Sequence, residues 1–193
     1  VYFLKRICEK GVEKIFQVSI DLHGTKAMER EVLIDTTVQE KNITFPTDTK
    51  LYKKIADKCV AIAEKEGIKL RQTYRRTTKK LVLAQRFRNH PKNYKKATKA
   101  ARKLKTIAGR LIRDLERKLS PGAFSRHLPQ LRIFEQVLNQ QKNSTNKIYS
   151  LHEPQVYCVG KGKDHKKYEF GAKASVVVTK NKGIIVGAVR QHK

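Results

Sequence analysis

The chain has 193 residues, and its 44 Lys and Arg against 17 Asp and Glu give a formal net charge of +27. Its 39% of hydrophobic residues is enough for a modest core, which excludes wholesale disorder, and no apolar run predicts a membrane span. The three cysteines form no CxxC pair, so neither a zinc knuckle nor a disulfide framework is supported. So basic a chain implies a polyanionic partner, and nucleic acid is the expected one.

The positive charge is concentrated in one part of the chain. Between Lys50 and Lys118 there are 24 Lys and Arg against 5 Asp and Glu, which places +19 of the +27 there. The first 49 residues are nearly balanced. This asymmetry predicts a basic insertion or subdomain rather than a uniformly basic tail.

The predicted elements begin with an amphipathic helix over Gly11–Leu22 and a strand in the segment REVLIDTTV, residues 30–38. The continuous apolar run VLI, residues 32–34, predicts a strand that is covered on both faces. Asp35 follows this run directly, so we expect its carboxylate at the end of a buried strand.

Three helical patterns follow. The first starts at Thr47 or Asp48 and closes at Gly67, the second runs from about Asn93 to Leu119, and the third follows the Ser120-Pro121-Gly122 stop. We predict that their apolar stripes face each other in one antiparallel bundle: Leu51, Ile55 and Ile62; Leu104, Leu111 and Leu115; and Leu128, Leu131 and Leu138.

The end of the chain changes character. Tyr168–Thr179 has a strand pattern, Lys180–Gly183 is a turn, and residues 184–189 return as a second strand. The coarse order is therefore a helix, a strand, a helical block and a hairpin.

Asp35 admits two interpretations. It can cap a turn through its own backbone, as strand-end Asp residues commonly do. It can also be a metal ligand, because Mg²⁺ prefers oxygen ligands and phosphoryl-transfer enzymes present carboxylates from strand ends.

Two long segments resemble one known family. LIDTTVQEKNITFPTD (residues 33–48) is similar to the first-aspartate motif of bacterial insertion-sequence transposases of the DDE class, whose catalytic domain is RNase H-like. KIYSLHEPQVYCVGKGKDHKKYEFGAKASVVVTK (residues 147–180) is similar to the segment that those transposases carry on their second and third strands. The resemblance extends from about Gly11 to Lys193.

The resemblance implies an α+β fold: a partial RNase H-like domain, with its first strand and hairpin, interrupted by a large basic helical insertion. The implied divisions are 1–30 for the end of an N-terminal helical region, 31–50 for the first strand and loop, 51–146 for the insertion, and 147–193 for the hairpin. The family's second Asp and its Glu would fall beyond Lys193. We therefore expect a fragment, truncated at the C-terminus and also at the N-terminus, that is catalytically incomplete.

The implied activity is metal-dependent phosphodiester hydrolysis followed by strand transfer at insertion-sequence ends. Asp35 matches the first catalytic Asp and would be a ligand of Mg²⁺ or Mn²⁺ in a complete active site. The implied partners are double-stranded DNA at transposon ends and target, and a second copy of the full-length protein in a homodimer. The implied location is the bacterial cytoplasm in association with the nucleoid, with no membrane.

Basic residues around two segments are the candidate DNA contacts, because a dense group of cations neutralises phosphates and releases counterions. Tyr74, within RQTYRRTTKK (residues 71–80), can stack on a base or be partly buried. The GxxxxGK[ST] phosphate-loop spacing is absent, so Lys161-Gly162-Lys163 is expected to be a flexible basic turn. The candidates are Arg71, Arg75, Arg76, Lys79, Lys80, Arg86, Arg88, Lys161, Lys163, Lys166 and Lys167.

A second class of function stays open. Composition alone favours a non-catalytic nucleic-acid-binding protein of ribosomal or nucleoid type. The transposase interpretation requires that Asp35 lie on a strand adjacent in the sheet to the Tyr168–Val189 hairpin. If the chain by itself is catalytic, another carboxylate such as Asp164 or Glu169 must complete its site.

Overall fold

The computed structural model describes residues 2–163 and 166–190, apart from the side chains of residues 2–7, 9, 161, 163, 166 and 190. The chain forms two compact units. The sheet unit contains residues 1–41 and 157–193, and the helical unit contains residues 42–156. The fold is α+β, with helices and a small antiparallel sheet.

The sheet unit combines one long helix with four strands. A short 3₁₀ turn, Gly24–Ala27, follows the helix. Its elements are α1 (Tyr2–Asp21), β1 (Val32–Glu40), β2 (Tyr157–Lys163), β3 (Lys166–Thr179) and β4 (Ile185–Arg190).

The long strand β3 organises the sheet. On one edge it pairs antiparallel with all of β1, from Val32 opposite Thr179 to Glu40 opposite Gly171. On its other edge it pairs with β2 near its beginning and with β4 near its end. The Thr36 and Ser175 hydroxyl oxygens lie 3.3 Å apart across the β1–β3 pair. Thus the strand containing Asp35 lies next to the hairpin, as the sequence predicts.

Two expectations about β1 are wrong. Leu33 is 56% exposed and Ile34 is 71% exposed, so this strand is not covered on both faces. Asp35 is the fourth residue of a nine-residue strand and not its end. The β-forming residues after it, Thr36 to Val38, continue the ladder with β3, and no described element of the sheet unit covers the apolar run.

The helix before the sheet is longer than the predicted Gly11–Leu22. It consists of two helical segments that meet at Cys8, whose backbone has φ 55° and ψ 178°. The apolar side chains of the second segment are largely exposed, with Ile15 at 55% and Val18 at 57%. Its amphipathic pattern therefore marks a helix without burying the apolar stripe in the described unit.

The helical unit contains four helices, and side chains cap three of them. Thr47 accepts the backbone N–H of Lys50, Ser120 accepts that of Ala123, and His90 Nδ1 accepts that of Lys92. Proline occupies the first turn of both α4 and α5, where its missing N–H costs nothing. The helices are α2 (Asp48–Lys65), α3 (Arg75–Leu83), α4 (Pro91–Lys118) and α5 (Pro121–Asn139).

The three predicted stripes meet in one core, with one exception. Eight of the nine stripe residues belong to the core or pack against it, whereas Leu128 is only half-buried and lies outside that cluster. Each fully buried Leu or Ile contributes roughly 1.5–3 kcal/mol. Cys59 is part of the same core, and burial raises the pKa of its thiol to about 12.

A polar cluster joins the end of α2 to α5. Glu66, the residue after the last turn of α2, accepts hydrogen bonds at 2.9 Å from Arg126 Nη2 and, through its other oxygen, pairs with His127 Nε2 at 2.9 Å. The His127 hydrogen bond, with a further contribution from Arg126, holds the pKa of Glu66 below its ordinary value of 4.5.

None of the described helices combines the length and the apolar character that crossing a lipid bilayer requires.

The Glu66 cluster predicts a specific pH dependence. Because the pKa of Glu66 is lower in the folded state, its contribution to stability is complete above about pH 4.5 and is lost as the pH falls through the folded-state pKa. In thermal denaturation, Glu66→Gln should lower the melting temperature at pH 6, and the difference from wild type should vanish in strong acid.

Glu64→Gln is the matched control, because Glu64 pairs with Arg75 on the surface, where both side chains are about 60% exposed. This variant should follow the wild-type pH profile closely. Parallel melting curves for wild type and Glu66→Gln at every pH would contradict the assignment.

Gly171 predicts a second effect, in the sheet. It is buried between Glu40 and Tyr157, and a Cβ here would overlap the carbonyl oxygen of Gln39 and lie 2.6 Å from its carbonyl carbon. Gly171→Ala should therefore force β1 away from β3, at a cost of about 3 kcal/mol or more. Hydrogen exchange should show faster opening of β1 and β3 while the helical unit keeps its protection.

Gly160→Ala in β2 is the control, because a Cβ there would lie 3.9 Å from the nearest atom, the Lys167 carbonyl oxygen. It should leave the protection of β1 unchanged. If both variants exchange like wild type, the close approach at Gly171 is not a constraint on the sheet.

Candidate nucleic-acid interface

Asp35 lies exposed on β1 and opposite Val176 on β3, which in turn lies opposite Ala188 on β4. Residues directly opposite each other in an antiparallel sheet share a face, so Asp35, Val176 and Ala188 form one row. The carboxylate is thus accessible, and its row contains no second acidic residue.

Among the described residues, no cluster of carboxylates that could hold a metal ion forms around Asp35. Glu169 is buried on β3, seven residues from Val176, which is roughly 23 Å along an extended strand. Among the described residues no three His, Cys, Asp or Glu side chains lie close enough to hold a metal ion. Asp164, the other predicted alternative, lies outside the described residues.

Most of the predicted DNA contacts are exposed in the helical unit. Arg76, Lys79 and Lys80 project from α3, and Arg75 pairs with Glu64 of α2, which offsets its charge. The remaining exposed members of this set are Arg71, before α3, and Arg86 and Arg88, after it. The structure therefore groups these seven candidates around α3.

The other predicted contacts belong to the sheet unit. Lys167 is exposed on β3, whereas the side chains of Lys161, Lys163 and Lys166 lie outside the described part of the chain. The prediction of a flexible turn at 161–163 is wrong, because these residues form the end of β2. Gly162 has φ 67° and lies within a register shift between Gly160 and Lys163. Glycine readily adopts the positive φ that such an irregularity in a strand uses.

The strongest basic surface is one that the sequence analysis missed. Over its 28 residues α4 carries eleven Lys and Arg against two acidic residues, a net charge of +9. All eleven cations are exposed, and nine of them lie on the face opposite the buried stripe, where they recur mostly at three- and four-residue spacing. This basic stripe consists of Lys92, Lys95, Lys96, Lys99, Arg102, Lys103, Arg110, Arg113 and Arg117.

The basic stripe is long and almost free of counter-charges. From Lys92 to Arg117 it spans about 37 Å at 1.5 Å per residue. In the described part of the chain only Arg117, at the end of the stripe, lies within ion-pair distance of a carboxylate, that of Asp114 at 3.5 Å. The spacing of these cations is visible in the sequence, but the prediction for this helix rested only on its apolar positions.

The C-terminal end of the basic stripe borders a concavity, which we call the arginine cleft. It has a volume of about 560 Å³, and its walls include Arg71, Arg110, Arg113 and Arg117. At its base the buried Asp114 carboxylate accepts the backbone N–H of Arg71 at 3.0 Å and pairs with Lys118 at 3.2 Å. The Arg71 hydrogen bond is the main reason that the pKa of Asp114 is lowered, with Lys118 adding to it.

Tyr74 also lines the arginine cleft and is half-buried against the core of the helical unit. It precedes α3 with φ 54° and ψ 13°, the left-handed conformation that a bulky residue rarely adopts. Partial burial, one of the two alternatives for Tyr74, is therefore observed. The ring still forms part of the wall of a charged cavity.

Comparison with known proteins yields one curated relative. An uncharacterised protein, ORF8 in the nfe locus of Rhizobium meliloti, is 38% identical over 96 residues. The match covers 47% of this chain and 46% of the relative, so the chain spans about half of the relative's length. No family model matches the chain, and no solved structure matches it.

The basic stripe predicts how duplex DNA binding depends on salt. Each phosphate that a lysine neutralises adds about −0.9 to the slope of log K against log salt concentration. Lys95→Gln/Lys99→Gln should therefore weaken duplex binding and make the slope less negative by about 1.8. Fluorescence polarisation of a labelled duplex over a salt series measures both quantities.

Lys54→Gln/Lys65→Gln removes the same charge from exposed positions on α2 and is the control. It should change the slope by less than half as much. Equal slopes for the two double variants would mean that DNA responds to net charge and not to the basic stripe.

Proposed function

We propose that this chain is a segment of a DDE-class DNA transposase with an RNase H-like catalytic domain. The reaction of that class is metal-dependent phosphodiester hydrolysis at insertion-sequence ends, followed by strand transfer. The segment supplies the first catalytic carboxylate, Asp35, and a basic helical unit that binds double-stranded DNA. The partners of the whole protein are the transposon ends, the target DNA and a second copy of itself in the nucleoid.

One observation carries this proposal: the antiparallel pairing of β1 with β3, which joins segments more than 130 residues apart. Each of the two segments that resemble the family includes one of these strands, and β4 completes the hairpin on the far edge of β3. An RNase H-like domain requires that its first strand and its hairpin share one sheet. The pairing supports that requirement and gives Asp35 an exposed position on the first strand.

The described residues do not by themselves fit the expected Mg²⁺ or Mn²⁺. Two-metal phosphoryl transfer needs several oxygen ligands that hold ions about 3.5–4 Å apart. Asp35 offers one carboxylate, and its cross-strand row offers no other. The described part of the chain therefore does not form a complete site for a chemical step. Its proposed contributions are DNA binding and one ligand of a site that further carboxylates would complete.

The alternative, a non-catalytic nucleic-acid-binding protein, is favoured by a separate observation. The densest positive charge lies on α4 of the helical unit, whereas Asp35 belongs to the sheet unit. A protein that only coats nucleic acid needs the former and has no use for the latter. The role of Asp35 therefore decides between the two functions.

Asp35→Asn should separate binding from cleavage. In this chain the substitution removes one negative charge, so duplex affinity should stay the same or rise slightly, and neither form should nick plasmid DNA with Mg²⁺ or Mn²⁺. In a longer protein that contains this segment together with the remaining carboxylates, the same substitution should abolish metal-dependent cleavage. The measurements are polarisation for binding and gel analysis of end cleavage.

Asp57→Asn is the control, because it removes an exposed carboxylate of α2 that pairs with Lys53 of the same helix. It should leave cleavage by the longer protein intact. Cleavage that survives Asp35→Asn would contradict the proposed role, and metal-dependent nicking by this chain alone would show that its catalytic site is complete.

A further inference from the structure

The arginine cleft has an excess of positive charge that its own acidic residue does not balance. Asp114 already accepts the Arg71 backbone N–H and pairs with Lys118 and Arg117. Within the described residues Arg110 and Arg113 have no carboxylate at ion-pair distance, although both side chains are exposed in the cleft wall. Guanidinium groups that line one cleft without a carboxylate partner are suited to binding a phosphate.

The size and the lining of the cleft call for more than a phosphate. Its volume of about 560 Å³ falls within the range of about 300–1,000 Å³ in which pockets enclose small organic ligands. Tyr74 contributes a half-buried aromatic ring to the same wall as the arginines, whereas Leu111 is almost wholly buried in the core. A nucleotide combines the anion and the flat apolar surface that this lining would bind.

The basic stripe and the arginine cleft share Arg110, Arg113 and Arg117 but differ in shape. The basic stripe is the convex side of a helix, which can lie along the phosphates of a duplex. The arginine cleft is concave, and a duplex could place a base in it only by breaking that base's pairing and stacking. An unpaired nucleotide can enter, because its base is free to leave the stack.

We propose that the arginine cleft binds one unpaired nucleotide of a DNA strand. Arg110, Arg113 and Arg117 hold the phosphate, and the base packs against Tyr74. Asp114 is a positioning residue: its carboxylate holds the Arg71 backbone and the end of α4, and it offers the phosphate no hydrogen-bond donor. This inference rests on the proposed function in DNA processing and names the strand form that the helical unit recognises.

The test compares a labelled short oligothymidylate with a duplex of the same length, using polarisation without divalent metal. Arg110→Gln/Arg113→Gln should weaken oligothymidylate binding tenfold or more and duplex binding only about as much as Lys95→Gln/Lys99→Gln does. The lysine double variant, which removes the same charge from the same helix, should show the opposite preference. Equal losses for both probes in both variants would overturn the proposal.

Tyr74 provides an independent arm. Stacking on an aromatic side chain is worth about 1–3 kcal/mol per base, so Tyr74→Leu should weaken oligothymidylate binding roughly 5- to 150-fold while Tyr74→Phe retains it. If Tyr74→Leu fails to fold by circular dichroism, the exposed arginine pair still decides. Inorganic phosphate and a mononucleotide are also compared as competitors of oligothymidylate. If phosphate competes at the same concentration as the mononucleotide, the cleft is a phosphate site only, and the role of the base is overturned.

The outcome is separable from that of the proposed function. Loss of the single-strand preference, with Asp35-dependent cleavage intact in the longer protein, refutes the nucleotide site alone. A confirmed nucleotide site in a protein whose longer form never cleaves DNA refutes the transposase proposal alone.

Discussion

The helical unit depends on keeping one face of α4 dry while the opposite face carries a net positive charge. Like charges three or four residues apart repel by about 0.2–0.5 kcal/mol per pair, and the basic stripe contains several such pairs. Each Leu or Ile that α4 buries against α2 and α5 contributes roughly 1.5–3 kcal/mol, which exceeds the repulsion. The apolar contact therefore fixes a charged surface that would be unfavourable on an isolated helix.

Two acidic residues of the helical unit connect its elements and do little to neutralise its outer surface. Glu66 links α2 to α5, and Asp114 links the end of α4 to the segment before α3. Both carboxylates are mostly buried, so their negative charge holds neighbouring elements together and is not available at the surface. The exposed surface is left with an excess of cations, and a bound polyanion both relieves the repulsion and displaces the counterions.

The sequence predicted those elements whose signal lies entirely within one segment of the chain. The stripes of α2 and α4, the capping Thr47 and the hairpin turn are all local patterns, and all were found. The exposure of Ile34 could not be predicted in this way, because a continuous apolar run has the same appearance whether or not a layer covers it. The arginine cleft was also beyond reach, since it joins Arg71 to Arg110 through tertiary packing. The basic stripe was readable from the spacing of α4 alone.

The pairings of Gly171 have a topological consequence. Glu40, the last residue of β1, and Tyr157, the first of β2, flank the same glycine on the two edges of β3. The chain leaves the sheet and returns to it at points two strand spacings apart, roughly 10 Å. Residues 42–156 are therefore an insertion between two strand ends that lie on either side of the same glycine. Such an insertion can vary in length or content without changing the register of the host sheet, so the sheet and its insert are free to diverge at different rates.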